Sequence, residues 1–292
     1  MMRIVLFGAG GQLGHALRLV LAPLGELHAL DRDGCDVADA AAVRRVLARL
    51  RPDVIVNAAA YTAVDRAEHD EAQAFAVNAA APAAMAAWAA GTQALLLHYS
   101  SDYVFDGRQA SPYAETDAAR PLSVYGRSKL AGDLAITASG CRHLVLRSGW
   151  IYSAHGVNFV TTILRLGRER DVLRVVDDQI GTPTSARLIA AVSAELLRRH
   201  QVGPAPLGVY HVSAGGGTSW FGFAREILAQ AERLVPGAGW ARVEAIASSA
   251  YPQAAQRPAD SRLDTARFRA AFGTDLPCWQ ADVGACVAQV LA

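Results

Sequence analysis

The stretch Arg3-Ile4-Val5-Leu6-Phe7-Gly8-Ala9-Gly10-Gly11-Gln12-Leu13-Gly14 decides the fold. An apolar run short enough for a buried strand enters a glycine-rich loop, and amphipathic helical spacing begins directly after it. Gly8, Gly11 and Gly14 form GxxGxxG, and Gly10 adds backbone freedom. Glycine permits the tight turn and lets the main chain approach a pyrophosphate, which then sits on the N-terminus of the following helix. A glycine loop by itself is weak evidence. Between a strand and a helix it predicts a dinucleotide site.

The same alternation continues outward. Strands are predicted at residues 26–30, 54–57, 94–99 and 143–147, with helical segments such as 40–50 and 71–90 between them. Nearly all-apolar strands alternating with helices imply a parallel sheet covered on both faces. The predicted fold class is therefore α/β: a doubly wound parallel-sheet Rossmann domain with a smaller C-terminal α/β substrate lobe. The first domain is expected at residues 1–149, with later segments near 173–199 and 219–238 crossing back into it. Residues 150–172, 200–218 and 239–292 are expected to form the lobe.

Composition sets bounds on function. With 292 residues, 52% hydrophobic and 19% charged, the chain can bury a large core. A net charge of +1 argues against a nucleic-acid binder, which needs clustered Lys and Arg. Cys35, Cys141, Cys278 and Cys286 form no CxxC and read as free thiols. The start resembles no cleavable signal, and the Ala-rich stretch at 79–90 is too short to span a bilayer. A cytoplasmic protein with no membrane partner is expected.

Asp31 ends the second strand, where a carboxylate commonly receives the adenine-ribose hydroxyls and favours NADH. Arg32 follows it and suits a 2′-phosphate, which admits NADPH. The cofactor expectation is NADPH or NADH. Small residues at Ala58–Ala60, followed by Tyr61 and Thr62, would let it lie against the third strand. Gln12, Leu13, Asp36 and Val37 complete the expected cofactor contacts.

The fourth strand runs into Ser101, and Tyr125-Gly126-Arg127-Ser128-Lys129 follows 24 positions after that serine. Residues at i and i+4 share one helix face, so the Tyr125 hydroxyl and the Lys129 ammonium can converge. A free phenol, with pKa near ~10, is a reluctant acid–base group. A neighbouring ammonium, together with the positive charge of the oxidised nicotinamide, is expected to bring that value down. Ser101 can donate to a reacting carbonyl oxygen. Together these features point to a nicotinamide-dependent reduction or oxidation at carbon.

At this point the sequence resembles the extended short-chain dehydrogenases, and within them the dTDP-4-dehydrorhamnose reductases. The matching stretches are GAGGQLG, RPDVIVNAAAYTAVDRAE, VNAAAP, HYSSDYVFDG, PYAETDAARPLSVYGRSKLAG, RSGWIY, NFVTTILRL, VVDDQIGTPT, GVYHVSAGG and AYPQAAQRPADSRLDT. The resemblance implies a dTDP-sugar substrate whose C4 ketone receives a proton from Tyr125 as hydride leaves the nicotinamide. It implies that Lys129 tunes Tyr125 and binds the nicotinamide ribose, and that Ser101 replaces the family's usual threonine. It places Asp102 and Trp150 at the sugar and Arg257 and Arg262 near the diphosphate. Some family members are described as metal-bridged dimers built on carboxylates. Ala16 and Arg187 stand at the corresponding places, so no metal and a monomer or weak homodimer are expected.

Two other readings are open at this stage. One is a nucleotide-sugar 4,6-dehydratase or epimerase, although dehydratases follow the Ser/Thr with an Asp–Glu pair and here Asp102 precedes Tyr103. The other is a non-catalytic NADP-binding regulatory subunit, for which Tyr125 and Lys129 would have no use.

Overall fold

The computed structural model describes residues 1–203 and 205–292. Five strands of the main sheet are β1 Met2–Phe7, β2 Gly25–Leu30, β3 Val54–Asn57, β4 Leu95–Ser101 and β5 His143–Ser148, with Gly208–His211 as a sixth. Their order is Gly208–His211, β5, β4, β3, β1, β2. Every pairing is parallel. β1 lies between β2 and β3, so the chain turns opposite ways after β1 and after β2. That reversal opens a crevice at the carboxyl ends of the strands.

Both faces are covered, which explains the apolar strands. On one face, Leu13, Leu17 and Leu21 of α1 (Gln12–Leu21) and Ile189, Leu196 and Leu197 of the helix Ala186–Val202 cover Ile4, Leu6, Val56 and Leu97. On the other, α2 (Ala40–Leu50) and the helix Ala81–Thr92 cover Val5, Phe7, Ile55 and Leu96. By length and composition, the helical run Glu71–Thr92 could cross a membrane, with mean hydropathy 1.2, yet half of its apolar window is buried inside the domain. It is a core helix.

The lobe has its own core, in which the helices Phe159–Glu169, Trp220–Leu234 and Val283–Leu291 pack together. Below them, Val172–Val176 pairs in parallel with Arg242–Ile246.

The segment boundaries differ from those read in the sequence. The helix Trp220–Leu234 does not cross back: it buries Phe223, Ile227 and Leu228 in the lobe's own cluster. The strand at 172–176 also belongs to the lobe, and the return to the first domain begins only at Ala186. Conversely, Gly208–His211, expected in the lobe, is the sixth strand of the main sheet, with Tyr210 and Val212 in its core. Phe268 and Phe272 of the tail join that core as well. The physical reason is the open edge of β5, whose backbone groups need a partner strand.

Candidate active site

The loop after β1 depends on Gly8. Its φ is +79°, and a Cβ there would stand 2.5 Å from the backbone nitrogen of Ala59. No other residue tolerates both the left-handed conformation and the contact with the β3 loop. The first turn of α1 has no side-chain cap. Its leading N–H groups are therefore available to an anion.

A cavity of about 410 Å³ lies over this loop. Gly8, Gly10, Gly11, Asp31, Asp36, Val37 and Ala60 line it, together with Arg32, Cys35, Ala58, Ala59 and Val77. The structure thus gathers seven of the expected cofactor residues. Asp31 is fixed by the Gly34 N–H, which donates to its Oδ1 at 3.1 Å, and the Ala38 N–H donates to Asp36 Oδ1 at 3.0 Å. Burial pushes the Cys35 thiol up, so it stays a thiol.

Other expected cofactor contacts lie elsewhere. The Leu13 side chain points into the core, and Gln12 lines a different cavity, where its Oε1 accepts from the Ser153 hydroxyl at 3.3 Å. Only their backbones belong to the anion-facing turn. Tyr61 donates its hydroxyl to Asp70 at 3.0 Å, its main chain is held by Asn78, and Thr62 is exposed. Neither Tyr61 nor Thr62 lines the cavity.

At the strand ends, Ser101 is 5% exposed. It accepts from the Tyr103 N–H at 3.1 Å and donates to Asp102 Oδ1 at 3.1 Å. The helix that carries Tyr125 and Lys129, Val124–Ala138, starts on a double cap. Ser123 Oγ accepts from the Gly126 N–H at 3.1 Å, and a Glu68 carboxylate oxygen accepts from the Val124 N–H at 2.8 Å. Acceptors at a helix start satisfy otherwise orphaned donors and favour the dipole. The Tyr125 ring meets the Tyr103 ring edge-on at 5.9 Å.

Among the protein's own groups, burial outweighs any acidification of Tyr125 by Lys129. Burial pushes the phenol up to about 12, the Ser101 hydroxyl opposing and the Asp102 and Asp133 charges adding to the rise. Lys129, 1% exposed, instead donates to the Tyr99 carbonyl at 2.6 Å and meets His98 Nε2 at 3.4 Å. Burial lowers its amine to about 8, with Asp133 opposing. Burial also raises Asp102 to about 6, against the hydroxyls of Ser261 and Ser101.

A second cavity, of about 330 Å³, is lined by Phe159, Thr162, Arg174, Gln179, Trp220, Tyr251, Gln253 and Arg257 among others. Arg257 grips Asp65 with both ends of its guanidinium, at 2.9 and 2.6 Å. This joins the tail to the β3 side of the crevice. Trp150, expected at the substrate, is buried behind Trp220, the rings stacked at 3.4 Å and 4°. Its φ is +48°, a strained value for a bulky residue. Trp150 also presses on Gly181, where a Cβ would come within 2.3 Å of its ring. The cavity therefore meets Trp220, which the sequence reading missed along with Phe159 and Gln179. An aromatic pair at the very start of a helix, Trp220-Phe221, was the available signal. Arg262 is not brought to this cavity: it is bound to Asp260 and donates to the Ala110 carbonyl at 2.8 Å.

At the two positions where the resemblance suggested a metal bridge stand Ala16 and Arg187, and the Arg187 guanidinium pairs with Asp282. A cation in place of carboxylates does not suit a divalent ion. Among the described residues, no cluster of three His, Cys, Asp or Glu side chains could hold one.

Comparison with known proteins agrees with this geometry. The family model described as the RmlD substrate binding domain matches residues 2–292. The chain is 45% identical to a dTDP-4-dehydrorhamnose reductase of Burkholderia thailandensis, covering 100% of both sequences. It is 43% identical to one of Shigella flexneri, covering 97% of this chain and 96% of that one. A Clostridium acetobutylicum dTDP-4-dehydrorhamnose reductase structure superposes with TM-score 0.92 at 32% identity over the full length of both chains. One from Bacillus anthracis, in complex with NADP, gives 0.91 at 31% identity over 99% of each. With the family model matched over residues 2–292 and relatives 45% and 43% identical over nearly their whole length, the chain belongs to the dTDP-4-dehydrorhamnose reductase family.

Proposed function

We infer that this protein reduces the C4 ketone of dTDP-4-dehydro-6-deoxy-L-mannose to dTDP-L-rhamnose, using NADPH or NADH. What supports this reading is that Ser101, the last residue of β4, lies within hydrogen-bond reach of Tyr125, on the same strand-end side of the sheet as the cavity lined by Gly8, Asp31 and Arg32. When bound over the Gly8 loop, a reduced nicotinamide would supply the hydride for the sugar carbon. The chain's own work is to polarise the ketone and deliver the matching proton.

Tyr125 carries its proton throughout the neutral range, because burial holds the phenol at about 12. A reductase needs that form: the acid must be loaded before turnover. Ser101, already accepting from the Tyr103 N–H, has its own O–H free to turn from Asp102 to the ketone oxygen. Two donors then meet the charge that develops on that oxygen. As the carbonyl becomes the alcohol, Tyr125 becomes a phenolate. The Lys129 ammonium, on the same face of the helix, stabilises that charge and binds the nicotinamide ribose. Solvent returns the proton.

For the substrate, the cavity lined by Trp220, Phe159, Gln179 and Arg257 offers a stacking face, an amide and a cation, which suit a thymine base and a diphosphate. Asp102 and Trp150 are buried and line neither cavity; Trp150 backs Trp220. The direct test is to follow loss of NADPH absorbance on adding dTDP-4-dehydro-L-rhamnose. Cofactor binding without oxidation would overturn the reading.

Asp31 and Arg32 line the adenosine end together, so both reduced nucleotides fit. Arg32→Ala is expected to raise KM for NADPH about tenfold, the cost of one charged contact to a 2′-phosphate, and to leave NADH unaffected. Equal losses with both cofactors would show that Arg32 does not read the phosphate.

We also infer a cytoplasmic enzyme that works as a monomer or weak homodimer. The Arg187–Asp282 pair supports it by placing the chain's own cation where the resemblance suggested a metal bridge. Sedimentation with and without EDTA is expected to give one and the same mass. A smaller species on chelation would refute this.

A further inference from the structure

His98 is fully buried in β4, paired with Asn57 of β3 across the strand register, and does not line the cofactor cavity. Its hydrogen bonds are nonetheless determined. The Ala59 N–H donates to Asn57 Oδ1 at 3.2 Å, which turns the amide nitrogen toward His98 Nδ1 at 3.0 Å. An amide NH2 only donates, so Nδ1 accepts and the neutral ring carries its proton on Nε2. Burial, with the Lys129 charge adding, holds His98 well below its ordinary value and keeps the ring neutral. Nε2 faces Lys129 Nζ at 3.4 Å, while Nζ donates to the Tyr99 carbonyl at 2.6 Å.

An ammonium has no lone pair for the Nε2–H to meet. A neutral amine has one, and its own N–H still reaches the Tyr99 carbonyl. The imidazole therefore favours the amine and opposes the ammonium. The other groups around the pair are Asp133 and Tyr125 on the same helix, Ser100 on β4 and Arg147 on β5. Asp133 favours the ammonium, but its charge is shared with Arg147 Nε at 3.0 Å and the Ser100 hydroxyl at 2.9 Å. Asn78 donates to Ser128 Oγ on the helix at 3.0 Å and carries no charge to the site.

We propose that His98, fixed by Asn57, is a positioning residue that governs the charge on Lys129 and so sets the pH above which reduction fails. It deepens the reductase reading and rests on it: the ammonium is the form that serves Tyr125 and the ribose. Activity is then lost as pH rises through the Lys129 pKa, and the Nε2–H draws that loss toward neutrality.

Two measurements test the proposal. In protein labelled with 15N-histidine, with the His98 resonance identified by its disappearance in His98→Gln, the ring nitrogens report the tautomer directly. The expected result is neutral Nε2–H from pH 6 to 9, with a chemical-shift inflection as Lys129 titrates. The Nδ1–H tautomer, or a protonated ring, overturns the proposal without any appeal to activity. In the second, the pH profile of kcat/KM is compared among variants. His98→Leu removes the N–H that supports the amine and opposes the ammonium, so the alkaline limb is expected to move up by about one pH unit. His98→Gln accepts from Asn57 and turns its NH2 toward Lys129, so its limb is expected to stay at the native position. An unmoved limb in folded His98→Leu, or equal shifts in both variants, overturns the proposal. Complete absence of turnover in the native protein would instead overturn the reductase reading and leave the tautomer result standing.

Discussion

Tyr125→Phe is expected to lower kcat by about 100-fold or more, the low end of what a positioned acid contributes. The ring is retained, so the edge-on contact with Tyr103 and the packing beside Val124 survive. What disappears is the phenol proposed to donate to the ketone, on the helix face shared with Lys129. Ser101 cannot take over the proton delivery, because an alcohol is far too weak an acid at neutral pH. It can still polarise the carbonyl, so a residual rate above background is expected. NADPH affinity should change little, since the phenol binds the reacting oxygen. Stopped-flow turnover beside fluorescence titration of NADPH separates the two effects. Near-native kcat would mean that another group is the acid.

Lys129→Met has the second largest expected effect, and it falls on both turnover and cofactor affinity: kcat/KM down about 100-fold or more, and the NADPH Kd raised about tenfold. The sign for stability runs the other way. Burial lowers the Lys129 pKa to about 8, below its value in an unfolded chain. Folding therefore pays to keep the proton at every pH below about 8, and this penalty fades only as pH approaches the unfolded value near ~10.4. Methionine fills similar space without a charge, so Tm at pH 7 is expected to stay level or rise despite the lost bond to Tyr99. A fall in Tm with a parallel fall in activity would indicate that Lys129 serves the fold instead of the reaction.

How far the sequence foretold this site depended on which force fixed each residue. β1, β3 and β4 were legible because a strand buried on both faces can hold little besides apolar residues, as Val54–Val56 and Leu95–Leu97 show. The cofactor loop was legible because the φ of Gly8 and its contact with Ala59 exclude other side chains. The edge strand Gly208–His211 was not recognised. Four residues between a linker rich in Gly and Pro and a glycine loop carry no periodicity that separates a sheet edge from a lobe strand. Residues 219–238 misled for the converse reason: an amphipathic helix shows which face it buries but not against which core. Trp150 and Trp220 illustrate a related limit. Both are large aromatics near strand or helix ends, and only the stack between them decides which one meets a ligand. The Tyr125–Lys129 spacing correctly placed two side chains on one helix face. It could not show that Lys129 would turn to Tyr99 and His98, because those partners come from a strand some thirty positions earlier.

The interleaving of the two cores limits how this protein can be cut or recombined. Its nucleotide-binding half takes a helix from 186–202, an edge strand from 208–211 and two phenylalanines from 266–272, with lobe segments threaded between them. A gene fragment ending near residue 150 would leave β5 without its neighbour and α1 without the helix it packs on, inviting aggregation through the bare edge. Exchange of substrate specificity between relatives therefore cannot proceed by swapping a C-terminal half. It has to proceed by grafting loops onto an undivided scaffold.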